Sequence, residues 1–100
     1  RVAAARLTQR RRYEAIGLPG VSANAAAPGP VIEDVARLDG AAQALVREAA
    51  ERMGLSARGF HRVLKLARTI ADLDAAGSVG RPHLAEALSY RAEAGRRRAA

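Results

Sequence analysis

The stretch that decides the fold is LSARGFHRVLKLARTIADL, residues 55–73. Apolar side chains recur in it at the three- and four-residue spacing of one helix face: Phe60, Val63, Leu64, Ala67, Ile70 and Ala71. Polar and charged side chains share the opposite side: Arg58, His61, Arg62, Lys65, Arg68 and Asp72. The two groups occupy separate arcs at about 100° per residue. This spacing predicts an amphipathic helix from Ala57 to about Asp74, with Ser56 as its N-cap.

Three more helices are predicted around this one. Val2 to Ile16 mixes alanine and larger apolar residues with arginine and predicts a first helix. Residues 41–53 repeat apolar side chains at helical spacing between Asp39, a favourable N-cap, and Gly54, a typical helix end. Pro82 suits the first turn of a last helix. The expected fold is all-α, a small antiparallel four-helix bundle.

The predicted elements divide the chain into four regions. These are an N-terminal helix over residues 1–16, a Gly/Pro-rich loop with a short turn over 17–38, a helical bundle over 39–95, and a basic disordered tail over 96–100. The loop assignment depends on the chain-breaking residues Pro19, Gly20, Pro28, Gly29 and Pro30.

The composition favours helices and excludes several classes of protein. Hydrophobic residues make up 49% of the 100 positions, but 25 of those residues are alanine, which favours helix and is depleted in strands. The absence of cysteine excludes disulfide frameworks, cysteine-based zinc sites and thiol catalysis. No apolar run approaches the length of a membrane span, and no signal peptide is recognised. We therefore expect a soluble, cytoplasmic protein.

The charge is strongly positive and unevenly distributed. Seventeen basic residues, sixteen of them arginine, stand against ten acidic residues, for a net charge of +7. Two arginine clusters stand out, at residues 10–12 and 96–98. They are typical either of solvated helix ends or of contacts with phosphate in a nucleotide or nucleic acid, and charge alone does not choose between these readings.

No arrangement of residues supports catalysis or metal binding by this chain alone. His61 and His83 are its only histidines, and neither has a second ligand at metal spacing. We expect His61 on the surface of a basic face and His83 in helix packing or first-turn capping. Arg68 and Asp72, spaced i, i+4, are expected to form an ion pair on the helix surface. No glycine-rich phosphate-binding loop is present.

Several motifs resemble those of the magnesium chelatase-like AAA+ ATPases of the ComM and YifB type. Residues 55–73 are similar to that family's L-S-A-R-x-x-x-R-[IV]-L-[KR]-[VL]-A-R-T-I-A-D-L signature, and residues 83–91 to the H-[IL]-x-E-A-[IL]-x-Y-R part of its ending, which Pro82 precedes. Upstream, Ala5, Arg6, Gln9 and Arg12 resemble its A-R-x-x-Q-x-x-R first helix, and Asn24-Ala25 its N-A pair. The resemblance implies a C-terminal helical lid domain, separated here from its nucleotide-binding core.

The resemblance also implies roles for two arginines. Arg58 matches sensor 2, which is the catalytic arginine that reaches the terminal phosphate of ATP and couples hydrolysis to movement of the lid. Arg62, one helical turn later, is a second candidate for nucleotide binding. The segment from Thr69 to Leu73 is expected to serve mainly in packing.

The implied cofactor is ATP, with Mg²⁺ bound by the core domain. The implied partners are that core and the neighbouring subunits of a hexameric ring, and the family is associated with DNA branch migration. Two alternatives remain from the residues themselves. One is a stand-alone basic helical module that binds nucleic acid, and the other is a helical protein-interaction module without a nucleotide role.

Overall fold

Five α-helices and one short 3-10 turn make up the fold. The computed structural model describes residues 1–99, with side chains described for residues 1–92. In chain order the helices are α1 (Val2–Ala15), α2 (Gly29–Val35), α3 (Gly40–Met53), α4 (Ala57–Leu73) and α5 (Arg81–Ala99), and the 3-10 turn spans Asn24–Ala26. No strand occurs within residues 1–99. The all-α prediction is confirmed.

The prediction of four helices is wrong by one, because α2 forms within the segment expected to be a loop and a short turn. The prolines that suggested a loop stand where a helix tolerates them: Pro28 is the N-cap and Pro30 lies in the first turn, where no intrahelical N–H bond is required. Ile32 then points into the interior and is fully buried. Burial of this side chain and of Ala36 anchors the short helix to the bundle.

The two helices with the clearest sequence signals begin as predicted. Asp39 Oδ1 accepts a hydrogen bond from Ala42 N at 2.8 Å at the start of α3, and Ser56 Oγ accepts one from Gly59 N at 3.1 Å at the start of α4. Gly54 ends α3 in the left-handed conformation, with φ 60°. Such side-chain caps satisfy N–H groups that a helix leaves without internal partners.

Helix α4 is the centre of the fold, and its two sides contact different parts of the chain. Its apolar stripe packs with α3 and α5 in a core built largely of small residues: Ala42, Leu45, Val46, Val63, Ala67, Ala71, Val79, Leu84 and Ala87. A second cluster joins it to α1, α2 and the 3-10 turn through Tyr13, Ala27, Ile32, Ala36 and Leu64. Alanines at the contacts allow helix backbones to approach closely.

The loops before α3 and before α5 meet beside α4. Asp39 N donates to Val79 O at 3.0 Å and Val79 N donates to Arg37 O at 2.9 Å, which pairs Leu38 with Val79 in one parallel bridge. Arg37 and Ala75 have positive φ angles of 52° and 56°. Backbone hydrogen bonds thus join the loop before α3 to the loop before α5.

Within the described residues, no helix combines the length and the apolar character needed to cross a membrane. Helix α5 continues to Ala99. The backbone is therefore helical over residues 96–99, within the expected disordered tail of residues 96–100, while the side chains of these residues and Ala100 lie outside the described residues.

Candidate functional site

A basic groove lies along the polar side of α4, where the sequence placed its two candidate nucleotide-binding arginines. Arg58 and Arg62 are both exposed and both line this groove, whose volume is about 730 Å³. Its other lining residues are Ala25, Gly29, His61, Lys65, Leu66 and Thr69. No carboxylate lines the groove, so its electrostatic potential favours an anion.

The groove opens at the N-terminus of α4, a 17-residue helix. Free N–H groups and the helix dipole make such an end favourable for negative charge. Arg58 lies in the first turn, and Arg91 of α5 approaches the same end, since a Cβ placed at Gly59 would stand 3.4 Å from Arg91 Nη2. The family-like ending of the sequence contained Arg91, but nothing in the sequence placed it beside Arg58.

His61 and Lys65 are held in place, in contrast to the two candidate arginines. The His61 ring packs directly on Gly29, where a Cβ would stand 2.5 Å from its Cε1 atom, and His61 Nε2 lies 3.4 Å from Glu33 Oε2. Lys65 Nζ donates to the carbonyl of Ala25 at 3.1 Å. His61 therefore lies on the basic face, as expected, but α2 covers it and leaves its side chain only 24% exposed.

A buried ionic network lies behind the groove and is centred on Asp72. Arg12 Nη2 donates to Asp72 Oδ1 at 2.6 Å, and Arg12 Nη1 donates to Oδ2 at 2.9 Å, which is a bidentate pair. Arg68 Nη2 lies 3.1 Å from Asp72 Oδ1. The predicted i, i+4 ion pair therefore forms, but the expected surface location is wrong, because the side chains of Arg68 and Asp72 are each 1% exposed. Helix α1 and the loops before α3 and α5 cover the pair, and the sequence of α4 alone contains no sign of that cover.

Asn24 joins the network to α1 and to the groove. Its Oδ1 accepts from Tyr13 Oη at 2.7 Å and from Arg12 Nη1 at 3.1 Å, and its backbone N–H donates to Gln9 Oε1 at 2.9 Å. Its Nδ2 donates to Asp72 Oδ2 and to Thr69 Oγ1, each at 3.0 Å. The network therefore fixes the 3-10 turn whose Ala25 forms one wall of the groove.

In this network, burial and the neighbouring charged groups shift the pKa of Asp72 in opposite directions. Burial alone would raise the pKa of Asp72, but the hydrogen bonds from Arg12 and Asn24 and the charge of Arg68 outweigh burial and lower that pKa. The hydrogen bond to Asp72 raises the pKa of Arg12, whereas burial lowers the pKa of Arg68. Asp72 is consequently a carboxylate at neutral pH and compensates the buried guanidinium groups.

Arg68 also fastens two loops to α4. Its Nη1 donates to the carbonyls of Ala36 at 3.2 Å and Gly77 at 3.1 Å, and its Nη2 donates to that of Ala76 at 2.7 Å. Among the described side chains, Arg68 Nε is the one buried polar atom without a hydrogen-bond partner. Arg68, which was expected on the surface, thus connects two loops to α4 in the interior.

His83 caps the start of α5, as predicted. Its Nδ1 accepts from Gly80 N at 3.0 Å, and its Nε2 lies 3.0 Å from Asp74 Oδ2. The first contact assigns the proton of the neutral ring to Nε2, which then donates to Asp74. No group of three or more His, Cys, Asp or Glu side chains within residues 1–92 could hold a metal ion.

Comparison with known protein families gives a match that covers nearly the whole chain. Residues 1–91 match the family described as magnesium chelatase, subunit ChlI C-terminal. The chain belongs to this family. The resemblance seen in residues 55–73 and 83–91 is thereby confirmed, and the match also includes α1 and the segment before α2.

Proteins similar to this chain occur in several bacteria. The competence protein ComM of Haemophilus influenzae is 53% identical over 47 residues, which is 47% of this chain and 9% of that protein. The uncharacterized protein YifB of Escherichia coli is 38% identical over 92 residues, or 92% of this chain and 17% of that protein. Mb2921c of Mycobacterium bovis, also uncharacterized, is 37% identical over 97 residues, or 97% and 19%. The chain spans less than a fifth of these relatives, and no solved structure matches it.

The family-like residues of this ChlI C-terminal domain fall into two structural groups. Gln9, Arg12, Asn24 and Asp72, which lie far apart in sequence, meet in the buried network. Arg58 and Arg62 instead remain exposed at the groove. The first group holds the fold together, and the second is free to contact a ligand.

Proposed function

We propose that this ChlI C-terminal domain is the lid of a ComM-type AAA+ ATPase, in which Arg58 contacts the terminal phosphate of ATP. The observation that carries the proposal is the basic groove: Arg58 and Arg62 are exposed together at a helix N-terminus, and no carboxylate lines the surface around them. Family membership supports the same function.

The residues of the groove are suited to a polyphosphate. The guanidinium of Arg58 can form charge-assisted, bidentate hydrogen bonds with phosphate oxygens, and the N-terminus of α4 adds favourable partial charge. Arg62, one turn further along, extends the positive surface. His61 and Lys65 are held by α2 and the 3-10 turn and form a fixed wall.

Arg58 would couple hydrolysis to movement because its contact depends on the terminal phosphate. In this proposal the core domain binds Mg²⁺ and carries the residues that activate water. Once the terminal phosphate leaves, Arg58 loses the oxygens that distinguish one lid orientation from another, and the equilibrium between orientations shifts. The nucleotide would lie between neighbouring subunits of a hexameric ring in the cytoplasm, and the ring would remodel DNA, as in branch migration.

The test is Arg58→Ala in the full-length gene product, with ATP hydrolysis and ATP binding measured separately. We expect hydrolysis to fall by at least tenfold, since one arginine contact to a transferring phosphoryl group is worth several kcal/mol. Arg81→Ala is the matched control, because Arg81 is also an exposed arginine at the first turn of a helix but lies outside the groove. Unchanged hydrolysis in Arg58→Ala would remove Arg58 from the nucleotide site.

A second candidate function is direct binding of nucleic acid through the same groove. The carboxylate-free lining of Arg58, Arg62 and Lys65 favours it, because phosphate backbones bind through such surfaces. A titration of the chain with duplex and single-stranded DNA at two salt concentrations tests this function. If the groove binds nucleic acid, the affinity for DNA should be measurable, should fall steeply as the salt concentration rises, and should fall further in Arg62→Ala. Weak binding that does not change in Arg62→Ala would contradict this function.

A further inference from the structure

A second cavity, separate from the basic groove, is lined by four arginines. It lies among α1, the end of α2, α4 and the loop before α5, and its volume is about 380 Å³. Its charged lining consists of Arg11, Arg12, Arg37 and Arg68, and the rest carries no charge: Thr8, Ala15, Ile16, Val35 and Gly77. We call it the arginine cavity.

The lining of this cavity carries four positively charged side chains and no carboxylate. Asp72 is the carboxylate that contacts Arg12 and Arg68, and its two oxygens already accept from both arginines and from Asn24. Arg11 and Arg37 are exposed, and within residues 1–92 neither forms an ion pair. Burial lowers the pKa of Arg68, and the charges of Arg12 and Arg37 lower it further. The guanidinium groups that line the cavity therefore repel one another.

Two of these arginines are in unfavourable environments. The backbone of Arg37 has a left-handed φ of 52°, fixed by the bond from Val79 N to its carbonyl at 2.9 Å. Such a conformation is uncommon for a residue with a long side chain. The side chain of Arg68 lies behind the cavity with a buried Nε–H that has no acceptor, which is also unfavourable. An anion in the cavity would compensate the positive charge of both guanidinium groups.

We propose that the arginine cavity binds a small phosphate-bearing anion. Arg11 and Arg37 contact the phosphate oxygens from the exposed rim, because planar guanidinium groups match the geometry of phosphate. Arg12 and Arg68, whose Nη groups are engaged in the buried network, supply fixed positive charge behind them. The volume falls within the range of small-molecule sites. Ile16 and Val35 provide an apolar wall for the uncharged part of a phosphate ester.

Backbone NMR titrations of the chain with inorganic phosphate, pyrophosphate and AMP, in about 0.1 M salt, test this proposal. We expect saturable shifts at the amides of Ala15, Val35 and Gly77 with at least one of these anions. Arg11→Gln and Arg37→Gln should each weaken binding by about tenfold, the effect of losing one charge-assisted contact. Both residues are exposed, and unchanged circular dichroism will show that the fold is retained.

Arg62→Gln, which changes the basic groove, is the matched control and should leave this binding unchanged. Saturation by pyrophosphate alone would identify an inorganic anion, and saturation by AMP would identify an ester; both support the site. The proposal is overturned if no anion gives saturable shifts. It is also overturned if the shifts cluster at Ala25 and Gly29 and respond to Arg62→Gln, since the basic groove would then account for all binding.

Discussion

At the scale of single residues, Asp72 has more influence on stability than any charged residue on the surface. It is the carboxylate that compensates the buried Arg68 and the partly buried Arg12, and it also accepts from Asn24. Loss of one partner from a buried ionic group leaves the remaining charges without compensation. Surface ion pairs such as Arg52 with Glu48, where both side chains are largely exposed, contribute much less.

Asp72→Asn is therefore expected to lower the free energy of unfolding by about 3–5 kcal/mol. Asp34→Asn is the control, because Asp34 is exposed on α2 and outside the network, and its change should stay within about 0.5 kcal/mol. Urea unfolding followed by circular dichroism measures both. Equal and small effects would show that the buried network does not stabilise the fold.

The same residue predicts a pH dependence. The pKa of Asp72 is lower in the folded chain than in the unfolded chain. Its stabilising contribution is complete above the unfolded-state pKa of about 4 and is lost as the pH falls through the folded-state value. The difference in unfolding free energy between wild type and Asp72→Asn should consequently shrink as the pH falls below about 4. A difference that stays constant as the pH is lowered would contradict the assigned pKa direction.

At the scale of elements, the contact between α2 and α4 depends on Gly29, which from the sequence was interpreted only as a chain-breaking residue. Gly29 begins α2 and lies directly against the ring of His61. Its φ angle is not in the left-handed region, so the requirement for glycine comes from the close approach alone. This contact covers His61 and helps to form the wall of the basic groove.

Gly29→Ala should destabilise the chain by about 1–3 kcal/mol, because the added methyl group must displace His61. In a His61→Ala background the same substitution should cost much less, since the displaced ring is gone, and the double-mutant cycle measures that coupling. Gly40→Ala is the matched control: Gly40 also begins a helix, α3, but has nothing within 4 Å of the added Cβ. Thermal unfolding of the four variants decides whether the contact is real.

At the scale of the whole molecule, the features predicted correctly from the sequence are those that depend on residues close together in the chain. Ser56, Asp39 and Gly54 mark helix ends through caps that involve only neighbouring residues. The apolar stripe of α4 was equally readable from its spacing. Arg58 and Arg62 were placed on one exposed face, and the structure brings them to one groove.

The remainder depends on contacts between residues far apart in the chain, which local patterns do not contain. Arg68 and Asp72 had the spacing of a surface pair, and they are buried because α1 and the loops before α3 and α5 pack against α4. The segment of α2 was expected only as a short turn within a loop, because its prolines, which a helix tolerates in its first turn, were interpreted as chain breakers and because its stabilisation comes from burial of Ile32. The arginine cavity depends on four segments meeting at once.

The contact proposed between Arg58 and the terminal phosphate of ATP can be tested directly. The most direct measurement is the affinity of the full-length protein for a non-hydrolysable ATP analogue and for ADP, compared between wild type and Arg58→Ala. We predict a loss of about tenfold or more for the ATP analogue and little change for ADP, because only the former carries the phosphate that Arg58 is proposed to contact. Equal losses for both nucleotides, or no loss for either, would contradict it.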